Sequence, residues 1–360
     1  IEPGTVVRGI NPRNISTNDF TSGLIITQNA KIIAEGRADA PIIFTAENDN
    51  LTDPDDFTFS SRGSWGGLVI LGNGTLTRPG GVERYAEYGF DDQRVFFGGG
   101  LNPDDTESSG ILRYVSIRYS GRFINSAYKM SGLTLGAVGS GTTIDNVEVY
   151  ASAGDGFEFI GGTVNAYHLV AAKCEGNAFG MDSGYRGLGQ FWLGLSSLSH
   201  MLDVEGARPA DQPPFSRPDL ANLTLVTIDP RFAWVRSEGS LRFQNNAGGN
   251  LENSLLVHTD FDELRDKVVI EDQSGTDIGD TYARWEADDL TITSNYFSIE
   301  SGGPLDWPGF AFVLDEIRNP VTELRQQSFR DYMSGNNTLS TEIIIASSDT
   351  LTFDPLPLPG

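Results

Sequence analysis

Short stretches in which apolar and polar residues alternate dominate the chain before residue 255, and helical periodicity is nearly absent there. Gly, Asn and Asp bound most of these stretches. Alternation with a period of two between turn-forming residues is the pattern of half-buried β-strands. The sequence therefore predicts a protein built mainly from short strands.

Two of the predicted strands repeat with the same spacing. Residues 146–150 align with residues 168–172 after a shift of 22 residues, and the same shift carries 155–159 onto 177–181. A period in the low twenties that holds two strands in a fixed order is typical of a solenoid with stacked coils. We predict an all-β, right-handed parallel β-helix (solenoid, about 22 residues per coil in the centre) with projecting loops.

Related strands extend each repeat into a column. The first column is predicted to point these residues into the core: Leu68, Ile70, Leu133, Leu135, Phe157, Phe159, Phe179 and Met181. The second column is predicted to point inward with Val115, Ile117, Val147, Val149, Leu169 and Ala171. The step from Ile117 to Val149 is 32 residues. About ten additional residues therefore form a projecting loop near residues 121–130.

The flanking regions follow the pattern less regularly. Residues 1–46 are predicted to form early coils, and the start at Ile1 carries no polar cap, which predicts processing or cover by another chain. Strand-like stretches recur after Tyr185 at residues 223–226, 240–243, 255–257 and 290–293. Residues 260–267 and 322–333 predict short C-terminal helices with N-terminal capping residues.

These elements predict three regions along the chain. Residues 1–300 form the parallel β-helix, and residues 301–350 form a C-terminal capping region of helix and strand. Residues 351–360 form a Pro-rich tail. Solenoids expose strand edges at their ends, so a capping region is expected there.

The charge of the chain narrows its partners. Acidic residues number 49 and basic residues 25, which gives a net charge of −24 without any cluster of Lys or Arg. This balance excludes nucleic acid and anionic lipid surfaces as expected partners. No apolar stretch approaches the roughly 18 residues of a membrane span, so we expect a soluble chain without membrane insertion. The first residues show no signal-peptide pattern.

Few residues are available for transition-metal chemistry. Cys174 is the only cysteine, which excludes disulfides within the chain, and we expect it to be a buried apolar side chain. Histidines number three and lack paired metal-ligand spacing. Carboxylates and carbonyls are plentiful, and these are the oxygen ligands that suit Ca²⁺.

Three segments resemble a group of large secreted or surface β-helix proteins of Gram-negative bacteria, many known only as lipoproteins: residues 65–72 (WGGLVILG), 133–144 (LTLGAVGSGTTI) and 155–166 (DGFEFIGGTVNA). The resemblance extends over about residues 1–300. It implies a pectate-lyase-like fold and a secreted or outer-surface location, and it implies no established activity. Relatives have more Asp where this chain has Gly180 and Met181.

Four residues of two neighbouring coils are candidate ligands of a metal ion. If coils stack about 4.8 Å apart, oxygen atoms from adjacent coils converge closely enough to bind Ca²⁺. The predicted metal ligands are Asp155, Glu158, Asn177 and Asp182. In the alternative interpretation, the Asp and Asn residues form turns by hydrogen-bonding to their own backbone.

Catalysis on this fold would act on a polysaccharide. A glycoside hydrolase needs two carboxyl groups, for which Glu158 and Asp182 are candidates. A polysaccharide lyase needs Ca²⁺ and a basic side chain, for which Lys173 and Arg186 are candidates. Acidic coils offer such combinations by chance, so the sequence favours a protein that is not an enzyme.

Aromatic residues of the central coils are candidates for stacking on sugar rings: Tyr150, Tyr167, Tyr185 and Trp192. In the alternative interpretation, which the composition favours, they pack loops onto the coil. The sequence as a whole predicts an extracellular or cell-surface structural or adhesive protein that assembles head to tail into homopolymeric fibres and binds polysaccharide. The alternative function is a polysaccharide lyase or glycoside hydrolase acting on extracellular polysaccharide.

Overall fold

Parallel strands stacked in successive coils make up most of the chain. The computed structural model describes residues 1–10, 22–53, 55–84, 93–122, 129–195, 197–207, 210–227, 239–258, 268–273, 280–299, 307, 311–314 and 320–340. Its strands, numbered β1–β26 in chain order, form two long sheets and one small hairpin. The predicted right-handed parallel β-helix is confirmed.

The first long sheet, here called the front sheet, has nine strands, each paired in parallel with a strand of the next coil. In spatial order these are β2 (Leu24–Ile26), β5 (Leu68–Leu71), β9 (Leu133–Gly136), β11 (Phe157–Ile160), β13 (Phe179–Asp182), β16 (His200–Glu205), β19 (Gly239–Gln244), β22 (Val268–Glu271) and β25 (Ala311–Leu314). The candidate site lies on the outer face of this sheet.

The second long sheet, here called the back sheet, has two lines of strands. The main line is β1 (Val6–Gly9), β4 (Ile42–Ala46), β8 (Gly110–Arg118), β10 (Thr143–Tyr150), β12 (Ala166–Ala172), β15 (Leu193–Leu195), β18 (Thr224–Thr227), β21 (Leu255–His258), β24 (Tyr296–Ile299) and β26 (Thr338–Ser340). The side line is β3 (Ile32–Glu35), β14 (Leu188–Gln190), β17 (Asp219–Ala221), β20 (Gly249–Glu252) and β23 (Leu290–Thr293).

The long strands β8, β10 and β12 belong to both lines of the back sheet because each bends once. The bend falls at Tyr114, Asn146 and His168, whose φ angles are 48°, 54° and 53°. Left-handed backbone at one residue turns the chain sharply, and Asn tolerates it better than Tyr or His. The coil therefore has three flat faces around one core.

The core consists of the residues predicted to point inward. All of the inward positions listed above for the two columns are buried in one hydrophobic cluster. The register also confirms the spacing, since Val147 pairs with Leu169 and Phe157 pairs with Phe179, 22 residues apart in each case. Val115 pairs with Val147, which confirms the longer step before that coil. The loop predicted near 121–130 lies partly outside the described residues.

A helix closes the C-terminal end of the core. Helix α2 (Glu323–Asn336) confirms the helix predicted over 322–333, and it buries Phe329 and Met333 in the core. Val313 of the last front strand donates its N–H to Gln326 Oε1 at 2.9 Å, and Gln326 Nε2 donates back to Val313 O. One side-chain amide thus replaces the hydrogen bonds that a further strand would supply.

The edge of the back sheet is closed in the same way. Ile292 N donates to the Tyr332 hydroxyl at 2.9 Å, and Asn337 Nδ2 donates to Ile292 O at 2.8 Å. Strands β25 and β26 extend the sheets beyond residue 300, where the β-helix is predicted to end. The structure adds a helix that the sequence did not predict, α1 (Thr281–Glu286), whose N-cap Asp280 accepts from Ala283 N at 2.6 Å.

Other predicted elements lie outside the described residues, namely the helix over 260–267 and the tail over 351–360. A short antiparallel hairpin, β6 (Glu83–Arg84) and β7 (Phe96–Phe97), belongs to a segment that folds over the front sheet. No helix among the described residues has the length and apolar character needed to cross a membrane.

Candidate functional site

The outer face of the front sheet carries an acidic strip, defined here as Asp155, Glu158, Asp182, Asp203 and Glu205. Strand pairing places these outward residues in rows across the coils. One row runs through Thr134, Glu158, Gly180, Asp203 and Arg242, and the next runs through Ile160, Asp182, Glu205, Gln244 and Glu271. Alternation along each strand positions the strip, because the intervening residues point into the core.

Glu158 occupies a desolvated position in β11. Its Oε2 accepts hydrogen bonds from Ser131 Oγ and Thr134 Oγ1, both at 3.0 Å. Burial raises the pKa of Glu158 to about 8, and the charges of Asp155 and Asp182 raise it further in the same direction. Among the described residues, no Lys or Arg forms an ion pair with Glu158. At neutral pH this carboxyl group is mainly protonated.

Asp155 lies beside Glu158 and is held by the next coil. Its Oδ1 accepts from Asn177 N at 2.7 Å and its Oδ2 from Asn177 Nδ2 at 3.3 Å. Burial raises the pKa of Asp155 to about 7, although the bonds from Asn177 act in the opposite direction. This half of the strip therefore holds two carboxyl groups that bind protons near neutral pH.

Glycine at position 180 makes room for the Asp155 carboxylate. A Cβ atom at residue 180 would lie 2.5 Å from Asp155 Oδ2, and one at Gly176 would collide with Asp155 Oδ1. From the sequence, Gly180 suggests a weaker acidic site than in relatives. The structure shows instead that glycine at this position lets the Asp155 side chain reach Asn177.

Asp203 is the one member of the strip with a guanidinium partner among the described residues. Arg242 Nε donates to Asp203 Oδ1 at 2.8 Å and Arg242 Nη2 to Asp203 Oδ2 at 2.6 Å. Gln244 Nε2 joins Asp203 Oδ1 to Glu205 Oε1, at 3.3 and 3.0 Å. Two parallel charge-assisted bonds keep Asp203 ionised. The strip thus places protonated and ionised carboxyl groups side by side.

Sequence reasoning missed Asp203, Glu205 and Arg242. The 22-residue period is lost after β13, since Leu202 of β16 pairs with Leu241 of β19 across an insertion. The alternation of residues 202–205 and 241–244 carries the missing signal. Aligning Leu202 and Val204 with Leu241 and Phe243 would have placed the charged residues in one outward row.

The predicted basic residues lie away from the two carboxyl groups predicted to act in catalysis. Arg186 Nη2 pairs with Asp105 Oδ2 at 3.1 Å and so contacts the segment that folds over the front sheet. Lys173 follows β12 of the back sheet, where burial lowers the pKa of its amine. Glu158 and Asp182, in contrast, lie on adjacent front strands, and the charge of Asp182 acts on Glu158.

Two of the predicted sugar-stacking residues are inside the core, so that part of the prediction is wrong. Tyr185 and Trp192 are fully buried, with ring centroids 4.7 and 5.5 Å from that of Phe159. Their polar atoms bond to the backbone, Tyr185 OH to Val164 O at 2.8 Å and Trp192 Nε1 to Ala166 O at 3.0 Å. The sequence could not distinguish inward from outward side chains next to a turn.

The remaining two predicted stacking residues are half-buried on the back sheet. Tyr150 makes an edge-to-face contact with Tyr119, with centroids 5.7 Å apart, and Tyr167 is in register with Asp145. Sugar binding by these two residues stays a prediction. Cys174 is buried in the core as expected, and burial raises the pKa of its thiol to about 12.

The predicted calcium ligands come together only in part. Asp155, Asn177 and Glu158 lie in adjacent coils, but both Asp155 oxygens already accept from Asn177. The part of the chain that the structure describes contains no group of three or more His, Cys, Asp or Glu side chains arranged to hold a metal ion. Calcium binding therefore stays a prediction that requires a direct test.

A parallel β-helix with an acidic outer strip is the class of protein that these observations define. The chain matches the family model for the pectate-lyase-like β-helix domain over residues 1–299 and belongs to that family. Searches of curated proteins and of solved structures found no match to this chain.

Proposed function

We propose that this chain is an extracellular polysaccharide hydrolase whose site is the acidic strip. The carrying observation is the pair formed by Glu158 and Asp182, two outward carboxyl groups on adjacent strands. Glu158 is held by hydroxyl groups alone, and the pKa of about 8 supports its role as the general acid. A protonated carboxyl group beside an ionised one is the requirement for glycosidic bond hydrolysis.

In the proposed reaction, Glu158 donates its proton to the glycosidic oxygen as the bond from that oxygen to the anomeric carbon breaks. Asp182 accepts a proton from the water whose oxygen forms the new bond to the anomeric carbon. The products are two sugar chains with hydroxyl ends, and both carboxyl groups return to their starting states through solvent. Asp203 and Arg242 are proposed to orient sugar hydroxyl groups.

The charge of the strip favours a neutral polysaccharide. Uronate chains bring a carboxylate with each sugar, and the strip already carries several carboxyl groups with Arg242 committed to Asp203. Like charges in a partly buried site are costly unless a cation lies between them. A lyase acting on uronates is therefore the less favoured of the two enzymatic functions.

The adhesive, fibre-forming function remains the second candidate. The observation in its favour is the regular stacking of coils, which gives a stiff rod suited to a surface component. Growth of a fibre from end to end requires open strand edges, and the side chains of α2 occupy those edges at the C-terminal end. We therefore place glycan hydrolysis first.

The test measures reducing ends released from neutral polysaccharides, namely xylan, galactomannan and mixed-linkage β-glucan, with polygalacturonate as the anionic comparison. We expect Glu158→Gln to lower turnover of the hydrolysed polymer by about 10²–10⁴-fold with an unchanged circular dichroism spectrum. The matched control is Glu148→Gln, an outward glutamate of the back sheet, which should retain turnover. Equal rates for wild type and Glu158→Gln would refute the hydrolase, and binding without turnover would return the adhesive function to first place.

A further inference from the structure

One end of the acidic strip is closed by a wall of apolar side chains. Leu76, Val95 and Phe97, which belong to the segment between β5 and β8, are buried against the outer face of the front sheet. They cover Val69, Leu71 and Ile160, which point outward from β5 and β11. Outward apolar residues on a sheet require such a cover to be removed from water.

The wall ends exactly one strand position before the two proposed catalytic groups in each row. Thr134 is fully buried, and the next residue of its row is Glu158. Ile160 is 1% exposed, and the next residue of its row is Asp182. Glu158 and Asp182 are therefore the first partly exposed positions beyond the wall.

The wall is fixed to the coil by hydrogen bonds. Gln28 Nε2 donates to Gly72 O and Gly98 O, both at 3.0 Å, which joins the two ends of the segment. Asp105 accepts from Thr75 N at 2.7 Å and from Arg186 Nη2 at 3.1 Å. Arg186 follows β13 directly, so this pair ties the wall to the turn that comes after Asp182.

The opposite limit of the strip lies a few coils away. Val269 of β22 follows Arg242 in the same row and is 4% exposed, so that position is covered as well. Glu158 and Arg242 are separated by three strand spacings, or about 14 Å. A polymer that follows the strip along the coil axis meets the wall at Glu158.

From this geometry we propose that the strip receives the terminus of a glycan chain, so that cleavage at Glu158 and Asp182 releases a short product from the chain end. This inference rests on the proposed function and adds the mode of attack. An open strip would let a polymer pass across the catalytic pair and be cut internally. A wall directly behind the pair leaves room for a terminal unit only.

The test follows the products formed from the neutral polysaccharide that the wild type hydrolyses, by chromatography at early times and by viscosity. A single short product that appears from the start, while viscosity stays near its initial value, is expected. A ladder of fragments with a rapid fall in viscosity would overturn the inference. If that ladder disappears in Glu158→Gln, the proposed function stands and only the mode of attack is wrong.

A second variant addresses the wall itself. Arg186→Ala removes the bond to Asp105 without touching the strip, and we expect internal cleavage to rise by several-fold over the wild type. The matched control is Arg113→Ala, which removes a surface ion pair with Glu35 on the back sheet and should leave the product pattern unchanged. An unchanged pattern in a folded Arg186→Ala protein would argue against the wall. If neither hydrolysis nor binding of any neutral glycan is detected, both the proposed function and this inference are overturned.

Discussion

Glu148 and Glu158 lie on consecutive strands of one coil, and both point out of the β-helix, but their surroundings differ. Glu148 on the back sheet is 3% exposed and accepts from Ser116 Oγ at 2.9 Å, and Arg118 Nε donates to that same hydroxyl at 2.8 Å. Glu158 on the front sheet has only the hydroxyl groups of Ser131 and Thr134.

The difference teaches how one fold treats buried carboxyl groups in two ways. A cation within a hydrogen-bond network compensates a buried negative charge and gives a structural contact. Burial without a cation instead favours the protonated form, and this places a proton donor on the surface of the front sheet. The same contrast appears within the acidic strip, between Glu158 and the pair formed by Asp203 and Arg242.

The largest expected effect on stability comes from removing the cation of that pair. Arg242→Met leaves Asp203, which is 6% exposed, without its guanidinium partner. Breaking a buried ion pair on one side costs about 3–5 kcal/mol, which we expect in the free energy of unfolding measured with urea. The double variant Asp203→Asn with Arg242→Met should recover most of the loss. A single variant as stable as the wild type would show that Asp203 is not a buried charge.

The next effect separates Glu148 from Glu158 directly. Glu148→Gln removes a negative charge from the network of Arg118, and we expect a loss of about 1–3 kcal/mol at pH 9. Glu158→Gln replaces a carboxyl group that resists ionisation, so at pH 9 we expect the variant to be more stable than the wild type. Thermal unfolding of both variants in one buffer measures the contrast. Equal destabilisation by the two substitutions would contradict it.

Much of this comparison could be predicted from the sequence. The period of two and the shift of 22 residues predict which residues face the core, and Glu148 and Glu158 are outward because Val147, Val149, Phe157 and Phe159 are inward. Their hydrogen-bond partners are less accessible to sequence reasoning. Ser116 and Ser131 come from the preceding coil, and the variable lengths of the intervening loops set which side chains meet.

Other features of the site depend on packing that no local pattern reports. Trp192 directly follows the left-handed residue Phe191, and a small change in backbone direction there decides between core and surface. The wall over the front sheet comes from a long insertion whose apolar residues, such as Phe97, are too sparse to predict a contact. Arg186 acquires its partner Asp105 only through that insertion.

A smaller effect is expected in the pH dependence of stability. The pKa values of Asp155 and Glu158 rise to about 7 and 8 from ordinary values of 3.8 and 4.5. A raised pKa gives stability that is complete below the ordinary value and is lost as the pH passes the raised one. The melting temperature should therefore fall between about pH 4 and pH 8 through these groups.

Glu158→Gln should flatten the upper part of this decrease, while Glu148→Gln should leave its shape unchanged. The same titration predicts that kcat/KM of the hydrolase falls above about pH 8, because the proton donor is lost. A melting temperature that rises steadily from pH 5 to pH 9 in the wild type, and equally in Glu158→Gln, would contradict the assignment.

The smallest effect concerns calcium, which would compensate the front-sheet carboxyl groups as Arg118 does on the back sheet. A site formed by Asp155, Glu158, Asn177 and Asp182 must lose protons before it binds the ion, so apparent affinity should rise steeply between pH 6 and pH 9. Calorimetric titration with CaCl2 at the two pH values measures this, and Glu158→Gln should abolish the pH-dependent part while Glu148→Gln keeps it. An identical melting curve in CaCl2 and in EDTA at pH 9 would remove calcium from the strip and leave the proton as the ligand of Glu158.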